Sequence, residues 1–312
     1  MVREIKHWIY YFLLLPLLAI LPPKLLKKLI IKVIFRFNFK YDQLEKTRIV
    51  RESIQMVYPD DPDLDWKVEQ NLVCGALMDA STWKFLLSST AKRKRFIKIE
   101  GREYLEQALE TGKGALLLIG HTGSFVSSFW GLGLHGIPFG ILANDAPVNP
   151  DFSRAYRLFA RITINTIKKY CREPVVAFPL GRDNALASSA VRQVKSLLAA
   201  NKPVVAALDV PPYLTSSKEQ VLFLDQECIM PSGFIRIAAK IGSPIVPFYA
   251  AWDKPFSHNC TIRFQEPFIL NSSTSKNMQM CAEAVDRMIR KHPEQWFHWE
   301  AFPHFLVKNP NI

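Results

Sequence analysis

This 312-residue chain predicts an α/β fold: a mixed, mostly parallel central sheet flanked by helices, preceded by a membrane-associated helical segment. Three observations carry that expectation. Short apolar runs bounded by polar or turn residues recur between residues 114 and 252, the pattern of strands buried on both faces. Helical patterns separate them, as in a sheet built from strand–helix units. The first forty residues concentrate uncharged and then basic residues, unlike anything that follows.

The N-terminal run WIYYFLLLPLLAILPP, residues 8–23, carries no charge. It is shorter than the roughly 20 apolar residues that a helix needs to cross a bilayer, and Pro16 in its middle should kink it. The stretch KLLKKLIIKVIFRFNFK follows, with Lys24, Lys27, Lys28, Lys32, Arg36 and Lys40 interleaved among Leu, Ile and Phe. That is a basic amphipathic pattern suited to an anionic headgroup layer. No small-residue cleavage pattern marks a signal peptide, and the basic flank favours retention on the cytoplasmic side. A buried core helix is the plainer alternative, and spanning and interfacial geometries both stay open. We take residues 1–47 as the anchoring segment and 48–312 as one further domain, since no Gly/Ser-rich linker divides them.

The net charge of +12 points to an anionic partner, either a membrane surface or an acidic carrier protein. Nucleic acid is disfavoured because the charge lies beside an apolar anchor and outside any recognised binding motif. The five cysteines, Cys74, Cys171, Cys228, Cys260 and Cys281, form no CxxC pair, which argues for reduced, buried thiols and against a disulfide framework or a zinc site.

Residues 41–100 read as mainly helical. The four apolar runs are GALLLIGH (114–121), PFGILAN (138–144), PVVAALDV (203–210) and SPIVPFYAAW (243–252), with helices expected around 151–169, 184–200 and 232–241. In open α/β sheets, ligands gather at the carboxyl ends of strands, where His121 and Asp209 fall.

In GALLLIGHTGSF a histidine ends an apolar strand, and a small-residue turn leads into a helix beginning near Ser124. Further on come VNPDFSRAYRLFAR (148–161), PSGFIRIAAKIGSPIVPFYA (231–250) and AEAVDRMIRKHPEQWFHW (282–299), whose His-Pro-Glu-Gln-Trp is the most specific local signal. In this order the segments resemble the lysophospholipid acyltransferase superfamily, in particular its lipid A biosynthesis (lauroyl/myristoyl) branch, over nearly the whole chain. The family signature is His, four residues, then Asp or Glu; here that position is Val126.

The resemblance implies acyl transfer from an acyl carrier protein or acyl-CoA thioester to a hydroxyl of a membrane lipid acceptor. Lipid A precursors are the usual acceptors, and the place of work is the cytoplasmic face of a bacterial inner membrane. It implies His121 as general base, needing no metal and no cofactor. Because the family acid is absent, Asp145 is the expected carboxylate behind His121, with Arg154 first among Arg154, Arg157 and Arg161 for meeting the oxyanion. Asp209, Arg157 and Arg161 are assigned to substrate binding, as is Ser124, which is also expected to cap the following helix. His292, Glu294, Gln295 and Trp296 are taken as a packing motif, and His135, His258, His298 and His304 are left unassigned. Two rivals stay open: a catalytically impaired member that binds lipid or carrier protein, favoured by Val126, and a serine hydrolase using Ser124.

Overall fold

The computed structural model describes residues 2–22, 25–26, 28–30, 40–143, 152–177, 184–215, 217–254 and 257–307. The described helices begin with α1 (Val2–Ile9) and α2 (Leu15–Ile20), joined by a wide π turn over Tyr10–Leu14. Then come α3 (Lys40–Val57), α4 (Leu64–Leu87), α5 (Thr90–Phe96), α6 (Arg102–Leu109), α7 (Phe125–Leu134), α8 (Arg154–Cys171), α9 (Asn184–Ala199), α10 (Gly233–Ile241) and α11 (Thr274–Lys291). The strands are β1 (Ile97–Glu100), β2 (Ala115–Ile119), β3 (Phe139–Ala143), β4 (Arg172–Ala177), β5 (Pro203–Ala207), β6 (Lys218–Phe223), β7 (Gln226–Pro231), β8 (Ile245–Trp252) and β9 (Cys260–Phe264).

Seven strands form one sheet in the order β1-β9-β8-β2-β5-β3-β4. The five from β8 to β4 run parallel; β9 is antiparallel to β8, and β1 follows β9. The four apolar runs of the sequence are β2, β3, β5 and β8, which lie side by side at the centre of this sheet in the order β8-β2-β5-β3. Helices cover both faces, so β2 and β8 are buried along their whole length, and that is why they read as unbroken apolar runs.

The two-residue strand period divides the core. Ala115, Leu117 and Ile119 of β2 join one apolar cluster with residues of α2, α4, α7 and α8. Leu116 and Leu118 face the other, with α3, α9, α10, α11 and the C-terminal aromatics.

Edge elements escaped the sequence reading. β1 closes the region 41–100 that was read as mainly helical and α6 follows it, while β4 and β9 flank the central strands. β6 and β7 form a separate antiparallel hairpin with a two-residue turn at Leu224 and Asp225, both at positive φ. Such turns usually hold Asn-Gly or Gly. Here tertiary bonds hold the turn: the Leu224 N–H donates to Asp286 Oδ2 at 3.0 Å, and Arg290 bonds Asp225 at 2.8 Å.

At the N-terminus, Pro16 is accommodated without breaking the helix. The chain widens into the π turn just ahead of it, and the Leu15 N–H reaches back to the Tyr10 carbonyl. Leu15, Leu18 and Ala19 are buried, α2 packing on α4, whereas Ile5, Trp8, Leu13, Leu17 and Ile20 are exposed. Among the described residues no helix is long and apolar enough to cross a membrane. The basic stretch at 24–40 lies largely outside the described residues.

Candidate active site

The register of two neighbouring strands builds the site. Parallel β2 and β5 pair Ile119 with Ala207, and the Leu208 N–H continues the ladder to the Ile119 carbonyl at 3.0 Å. Two residues beyond Ile119 stands His121; two beyond Ala207 stands Asp209. Equal overhang at the carboxyl ends of adjacent strands sets the two side chains against each other.

His121 Nδ1 lies 2.7 Å from Asp209 Oδ1, and the His121 backbone N–H donates to Asp209 Oδ2 at 2.7 Å. Trp296 Nε1–H donates to the same Oδ2 at 2.8 Å. Asp209 is fully buried. Burial alone would raise its pKa, but the charge and hydrogen bond of His121, the nearby His298 and the Trp296 N–H outweigh it and hold the carboxyl well below the usual carboxylate range. A carboxylate only accepts hydrogen bonds, so His121 Nδ1 carries the proton and Nε2 keeps the free lone pair. The imidazole retains partial exposure, its side chain being 24% accessible.

The turn after β2 is held from below. Gly123 has φ 58°, and a Cβ there would lie 2.2 Å from the Ala250 carbonyl oxygen, so only glycine fits. Its N–H donates to the Gln295 carbonyl, the Phe297 N–H donates to the His121 carbonyl, and Asn71 Nδ2 donates to the Trp296 carbonyl. Gln295 Oε1 also accepts from the Trp252 N–H. The His-Pro-Glu-Gln-Trp segment is thus a clamp on the turn that carries His121, and its Trp296 reaches the buried carboxylate directly.

His298 is one of the four histidines that the sequence left unassigned. Its ring stands edge-to-face on His121 with centroids 4.5 Å apart. Burial, then the proximity of His121, pushes its pKa down to about 4, so it is neutral at pH 7. Its Nε2 is sealed from water and has no hydrogen-bond partner among the described residues. One donor atom each from His121, Asp209 and His298 lie within 4.8 Å of one another, a grouping that could hold a metal ion. Both Asp209 oxygens already accept N–H donors, however, which suits a hydrogen-bonded base better than a metal ligand set.

The other expected site residues are dispersed. Ser124 occupies the position before α7, but its hydroxyl makes no cap. It is fully buried and donates to Ser127 Oγ at 2.6 Å, so the expected capping role is corrected by this competing bond. Val126 is buried on α7. Arg154, Arg157 and Arg161 lie on α8, Arg154 and Arg161 exposed. Among the described residues, none of the hydrogen bonds around His121 and Asp209 involves these arginines; the Arg154 backbone N–H is instead met by Glu4 of α1 at 2.9 Å. Asp145 lies outside the described residues.

No curated protein matches the chain. The family model described as bacterial lipid A biosynthesis acyltransferase matches residues 1–157 and 181–300. These spans include β2 with its histidine, Asp209 and the clamp segment. The chain belongs to the bacterial lipid A biosynthesis acyltransferase family.

Proposed function

We propose that the protein moves a fatty acyl group from an acyl thioester, of acyl carrier protein or CoA, to a hydroxyl of a lipid-anchored acceptor. That acceptor would be a lipid A precursor or another glycolipid. Family membership supports membrane-associated acyl transfer in general. The finer reading rests on one observation: a part-exposed histidine whose Nδ1 is bonded at 2.7 Å to a buried, ionised carboxylate.

In the proposed step the acceptor hydroxyl oxygen attacks the thioester carbonyl carbon while its proton passes to His121 Nε2. A histidine suits this because its ordinary pKa of about 6.5 lies near working pH. Asp209 fixes the tautomer and stabilises the imidazolium that forms. As the tetrahedral intermediate collapses, the C–S bond breaks, and the thiolate takes up the proton. Asp209 here fills the role that the sequence suggested for Asp145.

Ile5, Trp8, Leu13, Leu17 and Ile20 support a membrane-facing role for the N-terminal segment, which buries Leu15, Leu18 and Ala19 against the domain and leaves these apolar side chains exposed. Exposed apolar stripes of this kind mark interaction surfaces. The proposed position is the cytoplasmic face of the inner membrane, where the donor arrives from solution and the acceptor from the bilayer.

The test compares membrane lipids by mass spectrometry in host cells lacking the chain and complemented with wild type or His121→Ala. An acyl-sized mass gain on one lipid with wild type alone names the acceptor and chain length. Identical lipid profiles would refute the reading.

A further inference from the structure

Acyl transfer requires a hydrogen-bond donor for the carbonyl oxygen as it becomes an oxyanion. The arginines expected to fill this role take no part in the described contacts of the site. Around the turn after β2, the N–H groups of Thr122, Gly123 and Ser124 are already committed to the carbonyls of Gly120, Gln295 and Ala250. Among the described residues two buried side-chain atoms near His121 remain without a partner, Thr122 Oγ1 and His298 Nε2, and of these only His298 belongs to a ring set against the His121 imidazole.

We propose that His298 is a second catalytic imidazole, whose unpaired ring nitrogen donates a hydrogen bond to the thioester carbonyl oxygen in the tetrahedral intermediate. This rests on the acyl-transfer reading above. The location follows from the chain: the Phe297 N–H is tied to the His121 carbonyl at 2.9 Å, and Trp296 is tied to Asp209, so the next side chain is delivered against the base. The edge-to-face contact with His121 and the packing of Phe305 at 6.3 Å hold the ring in place. A buried ring nitrogen with no partner among the described residues is unfavourable, and a carbonyl oxygen that enters with the substrate would satisfy it. Neutrality suits the role: with its pKa near 4, the imidazole keeps one N–H to donate and does not compete with the acceptor hydroxyl for His121 as a proton source. The His298 proton is shared in the hydrogen bond and never transferred; the hydroxyl proton still goes to His121.

The experiment follows thiol release from lauroyl-CoA and from a lauroyl-loaded acyl carrier protein, in membranes carrying wild type, His121→Ala, His298→Phe or His298→Gln. Thermal unfolding of each purified variant is followed alongside. Loss of one oxyanion donor predicts that His298→Phe, which keeps the ring shape, lowers kcat about 10²–10³-fold with KM and Tm little changed. His298→Gln, which restores an N–H donor, should recover at least about tenfold of that loss. Wild-type kcat in His298→Phe overturns the proposal. So does an equal loss in both variants, or a loss accompanied by a fall in Tm, each of which assigns His298 to packing. If His121→Ala releases thiol as fast as wild type, the acyl-transfer reading itself falls; an inactive His121→Ala beside an active His298→Phe removes only the role of His298.

Discussion

Replacing Asp209 with asparagine separates the chemistry of the site from its packing. Three N–H groups converge on this carboxylate: His121 Nδ1 on Oδ1, and the His121 backbone and Trp296 Nε1 on Oδ2. An asparagine can leave its carbonyl oxygen where Oδ2 was and keep the last two bonds. Its NH₂ group then faces His121 Nδ1, and two donors cannot meet there. The imidazole relieves the conflict by moving its proton to Nε2, leaving Nδ1 to accept from the amide. Almost every hydrogen bond survives, but the lone pair that should receive the acceptor's proton is gone. Trapping a catalytic histidine in the wrong tautomer costs roughly 10⁴-fold in kcat, about 5 kcal/mol of barrier. The stability change should be no more than about 1–2 kcal/mol, the difference between charge-assisted and neutral hydrogen bonds. Asp209→Ala differs: it strands all three N–H groups in a buried site and should cost about 3–5 kcal/mol of stability. Thiol release from an acyl thioester and thermal unfolding, run on both variants, read the two effects. A well-folded Asp209→Asn with a rate within tenfold of wild type would refute the argument, because the buried carboxylate would then have no part in setting the base.

Three further outcomes follow from other parts of the molecule. Leu13→Glu and Leu17→Glu, which replace exposed side chains on the N-terminal helices, should each weaken sedimentation with anionic phospholipid vesicles at least about tenfold, from some 1.5–3 kcal/mol of lost burial per leucine; unchanged partitioning would exclude this face from the bilayer. Asp79, near Tyr10, Tyr11 and Tyr156, has its pKa raised by burial to about 7. A raised folded-state pKa means that its destabilising effect grows as pH rises from the unfolded value of about 3.9 to 7 and is complete above that. Asp79→Asn should therefore raise Tm more at pH 8 than at pH 5, and an equal gain at both would contradict the assignment. Val126→Glu, which restores the family acid, should leave kcat within about twofold, since His121 Nδ1 is already held by Asp209; a large gain would mean that the present carboxylate is a poor partner.

What could be read from the sequence was set by how each element is stabilised. β2, β5 and β8 lie under helices on both faces, so their residues are apolar throughout and announce themselves. β1 at the sheet edge alternates buried with more exposed residues over four positions, too short a span for a period to show. The β6–β7 turn carries none of the usual turn residues, because Asp286 and Arg290 of α11, some sixty residues away, hold it. The same division runs through the site. The place of His121 was legible because a polar residue closing a fully buried strand is conspicuous, while its role was expected from the family resemblance. His298 was not, since one imidazole among WFHW looks like any other until the tie between Phe297 and His121 brings its ring to the base.

The pairing of His121 with Asp209 lay in the sequence in a form that only strand register decodes. A family acid five residues after the histidine depends on the first turn of the following helix to aim it. A carboxylate two residues past β5 depends instead on the β2–β5 ladder, with Ile119 opposite Ala207 and the Leu208 N–H bonded to Ile119. The two routes converge on the same imidazole but bind different elements to it. With the ladder holding the carboxylate, α7 is released from electrostatic duty, and its second residue is free to be Val126, which packs in the core beside Phe129. On this geometry His121 has a buried carboxylate partner in Asp209 although position 126 is a valine.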